Sequence, residues 1–164
     1  MRILKAYTDW RFINDDLSLD SPYLVDLLAL WRSKMRDGKI PSRSDFQAEE
    51  FMQFGGRVVL IDVERQPLRF RYRLIGSHIT NVLDRDSTGK YLDEIYDSDF
   101  YTKAVETYKR NIDEKIPFRA YGEMVHAFKP YLSFEAVDIP LSSDGESVDM
   151  ILKGADFRRT SKKP

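Results

Sequence analysis

The sequence predicts an α+β protein whose five-stranded antiparallel sheet is covered on one face by helices. Two turn signals support this prediction. Glu64–Pro67 joins two β-type stretches within Arg57–Gly76, and the Asp144-Gly145 pair joins two more near the end of the chain. Helical periodicity occupies most of residues 77–114 between them. Strands at both ends with helices in the middle are typical of an antiparallel sheet that carries its helices on one side.

The segment Arg57–Gly76 gives the clearest strand pattern. Its first stretch, Val58–Val63, is apolar at nearly every position, as expected of a central strand. Its second stretch alternates with the period of two that marks a sheet with one apolar face. The apolar face carries Phe70, Tyr72 and Leu74, and the other face carries Arg69, Arg71 and Arg73.

An amphipathic helix is predicted before this hairpin. Pro22 stands at a helix start, where its missing N–H costs nothing, and Gly38 stands where the helix would stop. Between them, apolar residues recur at helical spacing and predict one buried stripe. The stripe consists of Leu24, Leu27, Leu28, Trp31 and Met35.

The other elements follow from the same periodicities. Helices are predicted over residues 77–83, 91–96 and 98–114, and strands over residues 118–126, 131–141 and 147–156. In the last strand, Val148, Met150 and Leu152 alternate with Asp149, Ile151 and Lys153, which predicts one core face.

The chain is expected to form one domain with appendages. An N-terminal extension (1–56) carries the amphipathic helix, and its residues 3–13 are consistent with either a strand or an arm. Residues 57–157 form the core. Residues 158–164 are basic and are expected to form a flexible tail.

Composition excludes several kinds of site. The 164 residues include no cysteine, which excludes disulfides, thiol nucleophiles, thiolate metal sites and a flavin attached through a cysteinyl bond. Only two histidines, His78 and His126, are present, so we expect no metal site built from protein ligands alone. The cofactor is otherwise unknown.

Charge and hydropathy bear on location and partners. A net charge of −1 lacks the basic footprint of a nucleic-acid-binding domain. No apolar run approaches the ~20 residues that span a bilayer. The first residues also lack the apolar core of a secretory signal. We therefore expect a cytoplasmic protein with neither nucleic acid nor membrane as its partner.

Short motifs occur in a fixed order between residues 22 and 155. They are Trp31, Pro41-Ser42-Arg43, Leu60–Val63, Phe70–Gly76, Arg85-Asp86 with Thr88–Lys90, Leu92–Glu94, Pro140–Ser142, Asp144-Gly145 and Val148–Leu152. Together with the element order, they resemble the single-domain Per-Arnt-Sim (PAS)-like proteins of alphaproteobacteria. One departure is Asp84, where that family usually has a glycine. Because aspartate adopts a left-handed backbone at modest cost, we expect the loop to be preserved.

The resemblance implies a non-enzymatic sensory or regulatory module. In such a module, sheet and helices enclose a pocket for a small ligand, and outer helices pass a signal to a protein partner or form a homodimer. The many aromatic residues are equally consistent with a filled core that has no cavity. The pocket candidates are Phe70, Tyr72, Leu74, His78, Tyr91, Tyr101, Tyr108 and Phe134.

Two candidate functions of polar residues have simpler alternatives. His78 could bind haem or donate to a ligand, but we favour a histidine that satisfies polar groups near a helix start, so haem is disfavoured. Residues 84–90 could cradle a phosphate, but they lack the glycine density of a P-loop. A turn stabilised by an Arg–Asp pair and by Asx hydrogen bonds is favoured there.

Partner-binding candidates occupy two faces. The arginines of the second strand stand in one row at ~6.6–7 Å spacing and could bind an anion or a partner. Cross-strand pairing with Asp62, Glu135 or Asp149 is the favoured alternative. The amphipathic helix could form a dimer. The candidates are Arg69, Arg71, Arg73, Leu24, Leu28 and Trp31.

Three functions remain open at this point. The first is a ligand- or partner-binding sensory module, and the second is a ligand-free dimerising interaction protein. The third, less favoured, is a small enzyme of the ketosteroid-isomerase type, which needs an acid/base pair in an apolar cavity. The candidates for that pair are Asp62, Asp138 and His126.

Overall fold

The computed structural model describes residues 11–124 and 129–160. Within these residues the chain forms one antiparallel sheet of six strands in the spatial order β1-β4-β5-β6-β2-β3, together with five α-helices. The strands are β1 (Arg11–Asn14), β2 (Val58–Glu64), β3 (Arg69–Ile75), β4 (Phe118–Met124), β5 (Lys129–Leu141) and β6 (Met150–Arg159). The helices are α1 (Pro22–Lys34), α2 (Ala48–Met52), α3 (Ser77–Leu83), α4 (Leu92–Ile95) and α5 (Ser98–Glu114).

The α+β class is confirmed, but the predicted number of strands was wrong by one. The additional strand is β1, which pairs with β4 so that Phe12 lies opposite Tyr121. Its four residues carry no decisive strand pattern of their own, and the strand forms because β4 offers an unpaired edge. The rest of the possible strand or arm, residues 3–10, lies outside the described residues.

The predicted helices 77–83 and 98–114 match α3 and α5 residue for residue. Asp97 caps α5 by accepting a hydrogen bond from the Phe100 N–H at 2.9 Å. The first helix was predicted to run towards Gly38, but α1 ends at Lys34. The predicted tail was also too long, because Arg158 and Arg159 are part of β6, and residues 161–164 lie outside the described residues.

Helices cover both faces of the sheet, whereas one covered face was predicted for the core. Helices α3–α5 pack on the inner face, and α1 of the N-terminal extension packs on the outer face. Strand β2 shows why: Val59 and Ile61 join the inner core, while Val58 and Leu60 join the outer core under α1. The nearly continuous apolar run of β2 is that of a strand buried on both sides.

The β2–β3 hairpin contains a register shift that the alternation did not reveal. Leu60 lies opposite Leu74, whereas Ile61 lies opposite Tyr72, so Arg73 is the extra residue of a β-bulge. Beyond the bulge the two faces of β3 exchange. Leu74 is therefore 44% exposed, and Ile75 packs against the inner core in its place.

Candidate functional site

A cavity of about 100 Å³ lies between the inner face of the sheet and helices α3 and α5. Its walls are mainly apolar, because small or branched side chains of the central strands face the helices there. The strands contribute Val59, Ile75, Ala136 and Ala155, and the helices contribute Ile79, Leu83, Phe100 and Ala104. Apolar walls with a few polar groups are the usual form of a small-molecule site.

Three of the predicted pocket residues, Tyr72, Tyr108 and Phe134, line this cavity. Phe70 does not, since it is buried in the inner core with its ring 5.5 Å from that of Tyr108. Leu74 faces outward because of the bulge.

The other two aromatic candidates also lie away from the cavity. Tyr101 packs against the inner core without lining the cavity. Tyr91 lies below the Arg69 guanidinium, 3.7 Å from the ring centroid to Cζ. Neither side chain therefore lines the cavity.

His78 packs behind the cavity wall. Its ring centroid is 5.9 Å from that of Phe157, and it is Phe157 that lines the cavity. Within the described residues, the buried Nε2 of His78 has no hydrogen-bond partner. Burial, aided by the nearby Arg57, lowers the pKa of His78. The other histidine, His126, lies outside the described residues.

The inner end of the cavity carries a buried polar network. Lys153 Nζ lies 3.2 Å from Tyr108 Oη and 3.0 Å from Asp138 Oδ1. On the other side of that carboxylate, Arg11 Nη2 lies 3.3 Å from Asp138 Oδ2 and donates to Thr107 Oγ1 at 2.7 Å. Asp138 itself is fully buried. The network therefore places an ammonium group and a phenol at the surface of an apolar cavity.

Burial shifts the pKa values of both cavity-facing groups. It lowers the pKa of Lys153, although the neighbouring Asp138 carboxylate opposes that change. It raises the pKa of Tyr108, and the negative charge of Asp138 acts in the same direction. Because its pKa is raised, the Tyr108 hydroxyl keeps its proton and can donate a hydrogen bond.

The solvent side of the cavity is formed by two further tyrosines and an arginine. The hydroxyls of Tyr72 and Tyr96 lie 3.1 Å apart, and the Arg85 guanidinium lies over the Tyr96 ring at 5.4 Å. Burial raises the pKa of Tyr72, and Tyr96 contributes to the same shift. Arg85 is exposed, so it marks the mouth of the cavity.

The loop that positions Arg85 has the conformation predicted for it. Asp84 ends α3 in the left-handed region, with φ 55° and ψ 28°, as expected for the position where glycine was replaced. Asp86 Oδ1 accepts hydrogen bonds from the Thr88 N–H at 2.9 Å and the Thr88 hydroxyl at 2.6 Å. These Asx bonds agree with the favoured structural turn. The Arg–Asp pair expected with them does not form, because Arg85 lies over Tyr96 instead.

The arginine row on β3 is held by acidic partners of the same chain. Arg71 Nη2 and Arg73 Nε donate to the two oxygens of Asp62 at 3.0 and 2.8 Å, in agreement with the favoured cross-strand pairing. Arg69 instead forms a bidentate pair with Asp93 of α4, both distances being 2.7 Å. Glu135 and Asp149, the other suggested partners, bind elsewhere: Arg119 donates to Glu135, and the Ser143 N–H to Asp149.

The apolar partner candidates are in the interior. Leu24, Leu28 and Trp31 are 1%, 3% and 4% exposed and pack against the outer face of the chain's own sheet. Trp31 Nε1 also donates to the Pro140 carbonyl at 2.9 Å. These three side chains therefore offer no surface to a partner while α1 is docked.

The candidates for an acid/base pair do not meet in the cavity. Asp62 pairs with the β3 arginines outside the cavity, and Asp138 lies beneath Lys153 and is not among the lining residues. The third candidate, His126, is outside the described residues. In the described ranges, no three His, Asp or Glu side chains are grouped so that they could hold a metal ion.

Sequence reasoning missed the polar residues of the cavity. Lys153 was placed on the polar side of its strand, but β6 is buried on both faces, and the side opposite Leu152 faces the cavity. Arg11 begins β1, at the end of the stretch for which the sequence allows either a strand or an arm. For Lys153, the available signal was its place between Ile151 and Ala155 on one face of a strand that pairs with the apolar β2.

The fold agrees with that of one known family. A family model described as a PAS domain matches residues 19–154 of this chain. The chain belongs to the PAS domain family. No curated protein sequence gives a significant match. The match extends from the residues just before α1 into β6, so it includes all five helices and strands β2–β5, whereas β1 and the second half of β6 lie outside it.

PAS membership identifies the general class of function. A PAS domain is a sensory or signalling module in general, and such domains mediate ligand or protein interactions. No helix in the described ranges combines the length and the apolar character that a bilayer crossing requires.

Proposed function

We propose that this PAS domain is a non-enzymatic sensory module that binds a small molecule in the cavity between the inner face of the sheet and α5. The observation that carries the proposal is the pairing of apolar walls with hydrogen-bonding groups of Lys153 and Tyr108 at one end. The cavity, at about 100 Å³, is smaller than drug-sized sites of about 300–1,000 Å³. It is closer to the ~150 Å³ engineered cavity that holds benzene. The ligand is therefore small.

The output of binding is proposed to pass through β6 to α1. Side chains along β6 alternate between the two faces of the sheet. Lys153 and Ala155 face the cavity, whereas Leu152 and Gly154 face α1. A Cβ atom at Gly154 would lie only 2.7 Å from the Leu24 and Leu27 methyl groups, so strand and helix are in close contact. A ligand that displaces β6 therefore also displaces α1.

Native mass spectrometry of the gently purified protein tests this function. The proposal predicts an additional small-molecule mass on the wild-type protein and its loss in Ala104→Leu, whose three added carbon atoms fill the cavity. Ala48→Leu is the matched control, because Ala48 is exposed on α2, and it should keep the mass. A wild-type protein without any bound mass would favour the ligand-free interaction protein.

The proposal includes a homodimer or a protein partner, with the β3 arginines as part of the contact. Arg71 and Arg73 keep 40% and 54% of their side chains exposed even though both pair with Asp62. The double variant Arg71→Gln/Arg73→Gln is expected to weaken self-association or partner capture. Sedimentation and pull-down experiments should show this weakening. The control is Lys90→Gln/Lys109→Gln, which removes the same two positive charges elsewhere on the surface and should leave both measurements unchanged. Unchanged profiles would leave the arginines with a structural role only.

We place the protein in the cytoplasm as part of the same proposal.

The burial and pairing of Asp138 favour ligand binding over catalysis. An isomerase-type mechanism needs a carboxylate or imidazole that faces the ligand and accepts its proton. Asp138, which contacts two of the lining residues, is fully buried and is held by them, Arg11 and Lys153. Under this proposal the polar network binds and orients a ligand and leaves its covalent bonds intact.

A further inference from the structure

The charged side chains that line the cavity all have the same sign. Within the described part of the chain they are Arg11 and Lys153 at the inner end and Arg85 at the mouth, and no aspartate or glutamate lines the cavity with them. Asp138 lies behind the lining, where it holds Arg11 and Lys153 in place. A ligand in this cavity therefore meets basic groups at both ends.

Two hydrogen-bond donors at the inner end have capacity for a ligand. Lys153 has three N–H donors, and the described residues supply two acceptors, Tyr108 Oη and Asp138 Oδ1. Tyr108 accepts from Lys153, so its own O–H is left to donate. The two atoms lie 3.2 Å apart, and the two oxygens of one carboxylate can accept from both.

The rest of the cavity suits a short hydrocarbon chain. Ala104, Ala136 and Ala155 provide a smooth wall of small side chains next to the network. An ammonium group at an apolar surface is stabilised by an anion that also fills the apolar volume. A cavity of about 100 Å³ leaves room for only a few carbon atoms.

We infer that the cavity takes a short-chain monocarboxylate, with its carboxylate on Lys153 and Tyr108 and its alkyl chain against the three alanines. Arg85 at the mouth attracts the anion during entry. This inference rests on the proposed ligand-binding function and adds the chemical class of the ligand.

A titration of alanine-methyl-labelled protein followed by NMR tests the inference. Butyrate is the probe, and butyramide is its neutral counterpart of the same shape. Butyrate should give saturable shifts at the Ala104, Ala136 and Ala155 methyl groups at constant ionic strength. Butyramide should bind about tenfold more weakly or worse, since it lacks the negative charge and replaces one of the two acceptor oxygens with an NH2 group.

Three variants identify the groups responsible. Lys153→Met keeps the length of the side chain and should weaken butyrate binding about tenfold or more, with a smaller loss for butyramide, which carries no charge. Arg85→Gln alters an exposed residue and should slow or weaken butyrate binding even if Lys153→Met proves unstable. Lys109→Gln, on the exposed side of α5, should change nothing.

The outcomes separate the ligand class from the function. Equal binding of butyrate and butyramide, or binding of butyramide alone, would overturn the inferred anion and leave the ligand-binding function standing. If neither probe shifts the alanine methyl groups, the inferred ligand class is wrong. A bound mass detected on the purified protein would then still support the sensory function.

Discussion

Two aspartates in this protein each hold two cations, but in different surroundings. The Asp138 carboxylate is 0% exposed, with Arg11 and Lys153 at 5% and 14%. The Asp62 carboxylate is 11% exposed and binds the half-exposed arginines of β3. Solvent screens the ion pairs of Asp62 far more than those of Asp138. Loss of the carboxylate should therefore change the free energy of unfolding more at Asp138 than at Asp62.

We predict that Asp138→Asn lowers the free energy of unfolding by about 3–5 kcal/mol, because two buried cations lose their carboxylate. Asp62→Asn, the matched variant, should cause a much smaller loss, since exposed ion pairs contribute little. Urea unfolding of the two variants measures the difference. Equal losses of unfolding free energy in the two variants would show that the Asp138 network stabilises the protein no more than the Asp62 cluster does.

The β5–β6 turn contains a carboxylate that accepts three hydrogen bonds. Asp144 Oδ1 accepts from the N–H groups of Ser147 and Glu146, both at 2.8 Å, and from the Ser142 hydroxyl at 2.8 Å. These hydrogen bonds, in that order of importance, lower the pKa of Asp144 to about 2. The ionised form of Asp144 therefore stabilises this turn.

The sign of the pH effect follows from that pKa. An unfolded aspartate has a pKa of about 3.9, so the stabilisation by Asp144 is complete above about pH 5 and is lost as the pH falls through about 2. Carboxyl NMR should show Asp144 titrating near pH 2, and Asp144→Asn should flatten the decline of stability in this range. Titration of Asp144 near its ordinary pKa would contradict the assignment.

Docking of α1 onto the sheet depends on the absence of a side chain at Gly154. The helix and strand approach so closely that an added Cβ would meet the Leu24 and Leu27 methyl groups at 2.7 Å. This contact is the proposed route from cavity to helix, so its tightness matters for signalling as well as for stability.

Gly154→Ala should therefore destabilise the protein, and its effect should be coupled to Leu27. Leu27→Ala alone is expected to cost about 2–5 kcal/mol. In the Gly154→Ala background it should cost less by about 1 kcal/mol or more, because the new methyl group occupies part of the vacated space. A double-mutant cycle by urea unfolding measures this coupling. Strict additivity would mean that α1 and β6 are not in close contact.

At the scale of the whole molecule, local pattern predicted the elements but not the pairing between them. Helices α3 and α5 were predicted to the residue, since their apolar periodicity is complete within each segment. For β1 the sequence allowed a strand or an arm, and the strand was not counted in the sheet because only its pairing with β4 defines it. The number of covered faces was also missed, because the second cover, α1, comes from a distant part of the sequence.

The candidate site was predictable only in part for the same reason. Tyr72, Tyr108 and Phe134 were found as aromatic residues on apolar faces. Leu74 was misplaced by a bulge that exists only in the paired hairpin. Lys153 was missed because β6 is buried on both faces. In such a strand the alternation of side chains does not show which face lines the cavity.

The central claim is that the cavity between sheet and α5 holds a small molecule. A high-resolution crystal structure of the gently purified protein tests it most directly. We predict compact non-protein density within hydrogen-bonding distance of Lys153 Nζ and Tyr108 Oη. A cavity closed by its own aromatic side chains, with no density beyond the protein atoms, would contradict the claim.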